Sequence, residues 1–266
     1  MMKFFDSHCH LDDKSYAKDL PEVINRALDT NVAGIMLVGV NRETSVKALE
    51  IAQSFDGFYA AVGFHPHDAR ECSEDALEHL ESLSRNFKVK AWGEIGLDFN
   101  RMYSSRKDQE TWFVRQLETA VALDLPVIFH ERDSHGRLLE ILKSRYPSGI
   151  KGVIHCFSGS LSELEQYLEL GLYIGITGIL TLQKRGADLR TMVPLIPRHR
   201  LLVETDAPYL TPAPEKNRHR RNEPAFVKST LLRLAAVRGQ DPESLADIIF
   251  ENTCRLYNIN SMDFQG

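Results

Sequence analysis

Short apolar runs rich in β-branched and aromatic residues recur along the chain, and a longer stretch with helical apolar spacing follows most of them. The pattern predicts strands at Lys3–Ser7, Gly34–Val40, Phe58–Phe64, Lys90–Leu97, Pro126–His130, Gly152–Phe157, Leu172–Thr177 and Leu201–Thr205. Between them, Leu20, Val23, Ile24 and Leu28 form one apolar helical stripe, and Trp112, Leu117, Ala120, Val121 and Leu123 form another. Ser73 and Ser160 stand where helix N-caps belong. Strands alternating with helices imply a parallel sheet with right-handed crossovers. About eight such units in 266 residues predict an α/β TIM (β/α)8 barrel, one domain over residues 1–266. A last amphipathic helix around Leu245, Ile248 and Ile249 follows the turn at Arg238–Pro242. An open doubly wound sheet is the alternative, but no GxGxxG follows the first strand.

Composition narrows the setting. No run is long enough to cross a membrane, and the N-terminus carries no apolar signal segment. Four scattered cysteines with no CxxC pair read as reduced thiols in a cytoplasmic enzyme. A net charge of −5 argues against a surface that binds nucleic acid throughout, though Lys216-Asn217-Arg218-His219-Arg220-Arg221 makes a local basic run. A solvated loop is the plain alternative for that run.

The candidate chemistry gathers where the strands end, which in a barrel is the active-site face. Residues two apart on a strand share a face, so His8 and His10 aim two imidazoles into one space with Cys9 turned away. Glu94 lies in an apolar run between glycines, where a carboxylate is costly to bury unless paired or metal-bound. His130 follows Val127-Ile128-Phe129, His155 follows Gly152-Val153-Ile154, and Asp206 follows the last strand. Six of the ten histidines, at positions 8, 10, 65, 67, 130 and 155, fall at predicted strand ends. Six ligands are too many for one tetrahedral ion. His8, His10, Glu94, His130, His155 and Asp206 suit two divalent cations about 3.5–4 Å apart that share a carboxylate, an arrangement that activates water for hydrolysis.

Asp6-Ser7-His8-Cys9-His10-Leu11-Asp12, Gly93-Glu94-Ile95-Gly96-Leu97-Asp98, His155-Cys156-Phe157-Ser158-Gly159 and Glu204-Thr205-Asp206-Ala207-Pro208-Tyr209, in that order, resemble the TatD family of metal-dependent deoxyribonucleases. Arg221-Asn222-Glu223-Pro224 also fits, so the likeness runs nearly end to end. The resemblance implies a phosphodiester hydrolase, most simply a 3′→5′ DNA exonuclease using Mg²⁺ or Mn²⁺ and acting as a monomer on single strands or 3′ ends. It implies His8 and His10 on one metal, His130 and His155 on the other, and Glu94 bridging. Asp206 would bind the first metal and serve as base, while His65 would face the substrate phosphate. Four imidazoles favour Zn²⁺, Ni²⁺, Co²⁺ or Mn²⁺ over Mg²⁺ on ligand softness. Such a centre does not choose its bond, so a lactone, an amide or an aminoacyl ester remains an alternative substrate. Arg220 and Arg221 of the basic run tilt the choice towards phosphate.

Overall fold

The computed structural model describes residues 2–264. Eight strands appear in chain order: β1 Phe4–Cys9, β2 Val32–Val38, β3 Phe58–Val62, β4 Val89–Asp98, β5 Val127–Arg132, β6 Gly152–Ile154, β7 Tyr173–Ile176 and β8 Leu201–Val203. Each pairs in parallel with the next. The helices between and after them are α1 Leu20–Asp29, α2 Arg42–Ser54, α3 Glu74–Ser84, α4 Arg106–Ala122, α5 Arg137–Arg145, α6 Leu161–Glu169, α7 Ala187–Met192, α8 Val227–Arg238 and α9 Pro242–Leu256. This is the expected barrel rather than an open sheet, because the first and last strands meet. Cys9 bridges to Ala207, His10 N–H donates to Ala207 O at 2.7 Å, and Asp206 N–H donates to His8 O at 2.9 Å. Asp6 strengthens the seam by accepting from the Thr205 N–H at 2.8 Å and the Thr205 hydroxyl at 2.5 Å. Burial pushes the Asp6 carboxyl up to about 8 even though these bonds favour its charged form.

Two apolar cores follow from strand alternation. Phe5, Met36, Val38, Ile128, Val153 and Leu202 fill the barrel interior, and Phe250 and Tyr257, from α9 and its end, pack against that filling. Phe250 and Phe5 have ring centroids 6.1 Å apart, so α9 plugs the end of the barrel where the strands begin. Outward-facing residues pack beneath the helices in a second, larger core. The other end, where the strands finish, carries no such plug.

The helix caps match the sequence. Ser73 accepts from Ala76 N–H, and Ser160 with Glu163 forms a reciprocal capping box. The apolar stripes need correction. On α1 the buried face is Val23, Ile24 and Ala27, while Leu28 is 47% exposed. On α4 it is Phe113, Leu117 and Ala120, with Val121 and Leu123 in solvent. Four strands, β3, β6, β7 and β8, are shorter than their apolar runs. β6 stops at Ile154 and β8 at Val203, because the backbone soon turns left-handed, at Cys156 (φ 48°) and Asp206 (φ 55°). Such dihedrals are uncommon for non-glycine residues and gather at functional sites. Conversely, β1 extends to Cys9, so it carries His8 itself, and His10 follows immediately.

Candidate metal centre

All six residues expected to hold metal meet at the open end of the barrel. Glu94, on β4 and only 3% exposed, is the common point. Its carboxylate lies 2.6 Å from His130 Nδ1, 3.4 Å from His8 Nε2, 3.7 Å from His65 Nε2 and 3.8 Å from His155 Nε2. Among the described residues no lysine or arginine pairs with it, so the alternative of a buried ion pair with arginine is not what the fold builds. Asp206 lies 3.5 Å from His10 Nε2 and 3.8 Å from both His8 Nε2 and His155 Nε2. The rings of His8 and His155 stack at 3.6 Å.

Glycine makes room for this crowding. A Cβ at Gly96, whose φ is +150°, would lie 1.9 Å from His130 O, so only glycine lets β4 and β5 approach here.

The tethering of each ring decides which nitrogen faces the centre. His10 Nδ1 sits 2.8 Å from Val38 O, a carbonyl that can only accept. Nδ1 therefore carries a proton, and Nε2, turned towards His8 and Asp206, is the nitrogen left to bind a cation once its own proton is lost. His130 has Asp98 Oδ2 3.4 Å from Nε2, leaving Nδ1 towards Glu94. Glu204 Oε1 lies 2.8 Å from His155 Nδ1, a close charge contact off the line of the ring N–H, and Nε2 points inward. His65 is wired the opposite way. Its Nδ1 accepts from His67 N–H at 3.0 Å, so the neutral ring carries its proton on Nε2, facing the centre. His65 is thus placed among the ligands but presents a donor. His10 and His130, each with one nitrogen hydrogen-bonded to oxygen and the other turned inward, have the arrangement typical of a metal ligand, and His155 has a carboxylate beside its outer nitrogen. Four sets of three potential ligand atoms converge: His8 with His10 and Glu94, His65 with Glu94 and His130, His8 with His155 and Glu204, and His155 with Cys156 and Asp206.

Charge follows the same geometry. Burial alone would raise Glu94, but His155, His65, His130 and His8 hold it well below the usual carboxylate range. Burial alone would lower His10, His130 and His155, yet the carboxylates beside them raise all three to about 9. His8 and His65 are lowered, chiefly by burial and then by their imidazole neighbours. Asp206 is held low against burial by His10, His155 and His8.

Two carboxylates were not singled out from sequence. Glu204 is 1% exposed, accepts from Cys156 N–H at 2.6 Å, and leans on the bare face of Gly175, where a Cβ would lie 2.6 Å from Oε2. It closes the apolar run Leu201-Leu202-Val203, the same signal that marked Glu94. Asp98 is fully buried at the end of β4 and joins His67 Nε2, at 2.7 Å, to His130.

The basic run lies in the long loop between β8 and α8. Lys216, Arg218 and Arg220 are exposed. Arg221 is committed elsewhere, pairing with Asp19 at 2.6 Å and Glu223 at 3.2 Å.

Comparison with known proteins gives the family. The pattern of the TatD-related DNases matches residues 5–258. The chain belongs to the TatD-related DNase family. A Citrobacter rodentium relative described as a 3′-5′ ssDNA/RNA exonuclease TatD is 42% identical, covering 96% of this chain and 98% of its own. A Salmonella typhimurium relative of the same description is 39% identical, covering 96% and 99%. Among solved structures, the Escherichia coli TatD homologue YJJV superposes with a TM-score of 0.88 at 33% identity, covering 97% of this chain and 98% of its own. A TatD family hydrolase from Entamoeba histolytica superposes with a TM-score of 0.86 at 26% identity, covering 96% and 98%.

Proposed function

We propose that this chain is a divalent-metal-dependent phosphodiesterase, a 3′→5′ exonuclease on single-stranded nucleic acid, working as a cytoplasmic monomer. The observation that carries the reading is Glu94: a buried, ionised carboxylate ringed by imidazoles with no lysine or arginine partner among the described residues. Such a group is stable where cations complete its environment. His8, His10 and Asp206 would hold one ion and His130 and His155 the other, with Glu94 shared. Bound there, two ions would activate a water and neutralise charge on a phosphate. The imidazole donors suit Mn²⁺, Zn²⁺, Co²⁺ or Ni²⁺ at low concentration, and Mg²⁺ serves at millimolar levels.

The remaining steps belong to side chains. Asp206 is the base: its carboxylate is ionised at neutral pH, 14% exposed, and faces the space between the histidines. His65 presents Nε2–H to a non-bridging phosphate oxygen, because its other nitrogen is already an acceptor. Lys216, Arg218 and Arg220 meet phosphates further along the strand, and Arg221 holds their loop in place.

The test is a matrix of Mg²⁺, Mn²⁺, Zn²⁺ and Co²⁺ against single-stranded DNA, duplex DNA, RNA and small esters. Mononucleotides released from the 3′ ends of single strands, abolished by chelation, are expected. Turnover confined to lactones, amides or carboxylic esters would overturn the reading.

A further inference from the structure

Among the described residues, three aromatic rings stand largely in water: Phe87, Tyr103 and Tyr209. Phe87 lies between α3 and β4, at the end of the barrel away from the centre. The two tyrosines flank the centre itself. Tyr103 is in the loop between β4 and α4, its ring edge-on to His67 at 4.8 Å. Tyr209 follows β8, its ring tilted 64° to His10 at 6.2 Å. Strands β4 and β8 are four apart in a ring of eight, so the tyrosines stand on opposite sides of the opening.

Neither ring hangs on a loose loop. Ser104, the neighbour of Tyr103, donates to His67 O at 2.7 Å and accepts from Arg70 N–H, and Gln109 Nε2 donates to its carbonyl at 2.9 Å. Tyr209 N–H donates to Asp206 O at 2.8 Å, and Asn222 Nδ2 donates to Tyr209 O at 2.6 Å. The backbone is pinned while 57% of Tyr103 and 55% of Tyr209 stay open to solvent. An aromatic face held still in water costs little further ordering when a flat ligand lands on it.

We infer that Tyr103 and Tyr209 are a base-stacking clamp that selects unpaired nucleotides, one ring on each side of the scissile phosphate. The inference rests on the phosphodiesterase reading and deepens it. A phosphate seated between Asp206 and Glu94 leaves its two flanking bases to reach outward. Each base has a π-face that stacks on tyrosine without regard to sequence. A paired base keeps that face buried against its duplex neighbours, so the clamp favours single strands and frayed ends. The tyrosines are positioning residues that act on the bases and not on the reacting atoms.

The experiment compares a single-stranded oligonucleotide with one of equal length that is abasic at its two 3′-terminal positions. The wild type should favour the base-bearing strand in kcat/KM by roughly tenfold or more, a stacking-sized effect. Tyr103→Ala and Tyr209→Ala should shrink that ratio towards one through KM, Tyr→Phe should restore it, and Tyr→Leu should not. Metal content and melting temperature establish that each variant is folded. A wild type that cleaves both strands equally, or alanine variants that slow both in proportion, would overturn the clamp alone. A wild type that cleaves neither strand with any of the four metals would remove the phosphodiesterase reading, and the clamp with it.

Discussion

Glu94 shows how one residue sets the centre. Replacing it with Gln keeps the shape but removes the negative charge that four imidazoles now face, and a neutral amide is a poor bridge between cations. The expected result for Glu94→Gln is a loss in kcat of about a thousandfold or more, on the order of 4 kcal/mol in the barrier. Wild-type turnover at saturating metal would contradict the bridging role. The wiring of the rings separates His65 from its neighbours in the same way. His8→Ala, His10→Ala, His130→Ala and His155→Ala should each lower bound metal. His65→Ala should leave metal content near wild type while raising KM or lowering kcat for phosphodiesters. Elemental analysis of the purified variants distinguishes them, and metal loss in His65→Ala would make that ring a ligand instead.

Protonation also belongs to this scale. His10, His130 and His155 sit at about 9 from the protein's own charges, against an ordinary value of 6.5. A raised imidazole holds its proton at pH 7, and a ligand must give that proton up. Metal uptake should therefore release protons at pH 7, and apparent affinity should climb from pH 6 to about 9 and then level off. Calorimetry in buffers of different ionisation enthalpy measures the release. The sign for folding is the reverse: these pairs stabilise the metal-free protein fully below 6.5, and that contribution fades as pH rises through 9. Affinity that is flat or falling across this range would show that the carboxylates do not hold the rings protonated.

Among the elements, the strand ends were the legible part. An apolar run followed by His, Glu or Asp is visible in sequence because burial and function meet at one position, and all six expected ligands arrive together. Strand bounds were less legible, since Cys156 and Asp206 adopt left-handed backbone that no apolar pattern announces. The exposed faces of α1 and α4 were misjudged because Leu28, Val121 and Leu123 continue an apolar repeat past the arc that the barrel covers. Glu204 was overlooked although it follows an apolar run as Glu94 does, and its partner in β7, Gly175, carries no signal beyond being glycine. The close fit of the two gives a test. A Cβ at 175 would lie 2.6–2.7 Å from both carboxylate oxygens of Glu204, so Gly175→Ala must displace that carboxylate from His155 and from Cys156 N–H. Partners that orient a metal-binding histidine typically account for roughly 10–100-fold in metal affinity or activity. A loss of that size in Gly175→Ala, with the fold intact by circular dichroism, is expected. Unaltered metal affinity would show that Glu204 does not orient His155.

For the whole molecule, the problem is how a chain of net charge −5 attracts a polyanion. The barrel answers by separating its ends. The α9 plug closes one, and the other gathers the histidine and carboxylate cluster, two exposed tyrosines and the loop that carries Lys216, Arg218 and Arg220. These three cations are exposed and outside every ion pair among the described residues, whereas Arg221 is tied to Asp19 and Glu223. The difference predicts two kinds of variant from neighbouring residues. A cation on a phosphate releases counterions, which gives a slope of about −0.7 per contact in log affinity against log salt for single strands. Replacing Lys216, Arg218 and Arg220 together with Ala should flatten that slope by about 2, raise KM for oligonucleotides at low salt, and leave the melting temperature unchanged. Arg221→Ala should instead lower the melting temperature, because it removes the bonds to Asp19 and Ser15 O that tie the loop down, although Arg26 still pairs with Asp19 and Glu223. Binding measured from 50 to 300 mM salt, beside melting curves, separates the two. A triple variant with the wild-type slope would make the loop a solvated surface, and an Arg221→Ala protein of unchanged stability would remove the anchoring role.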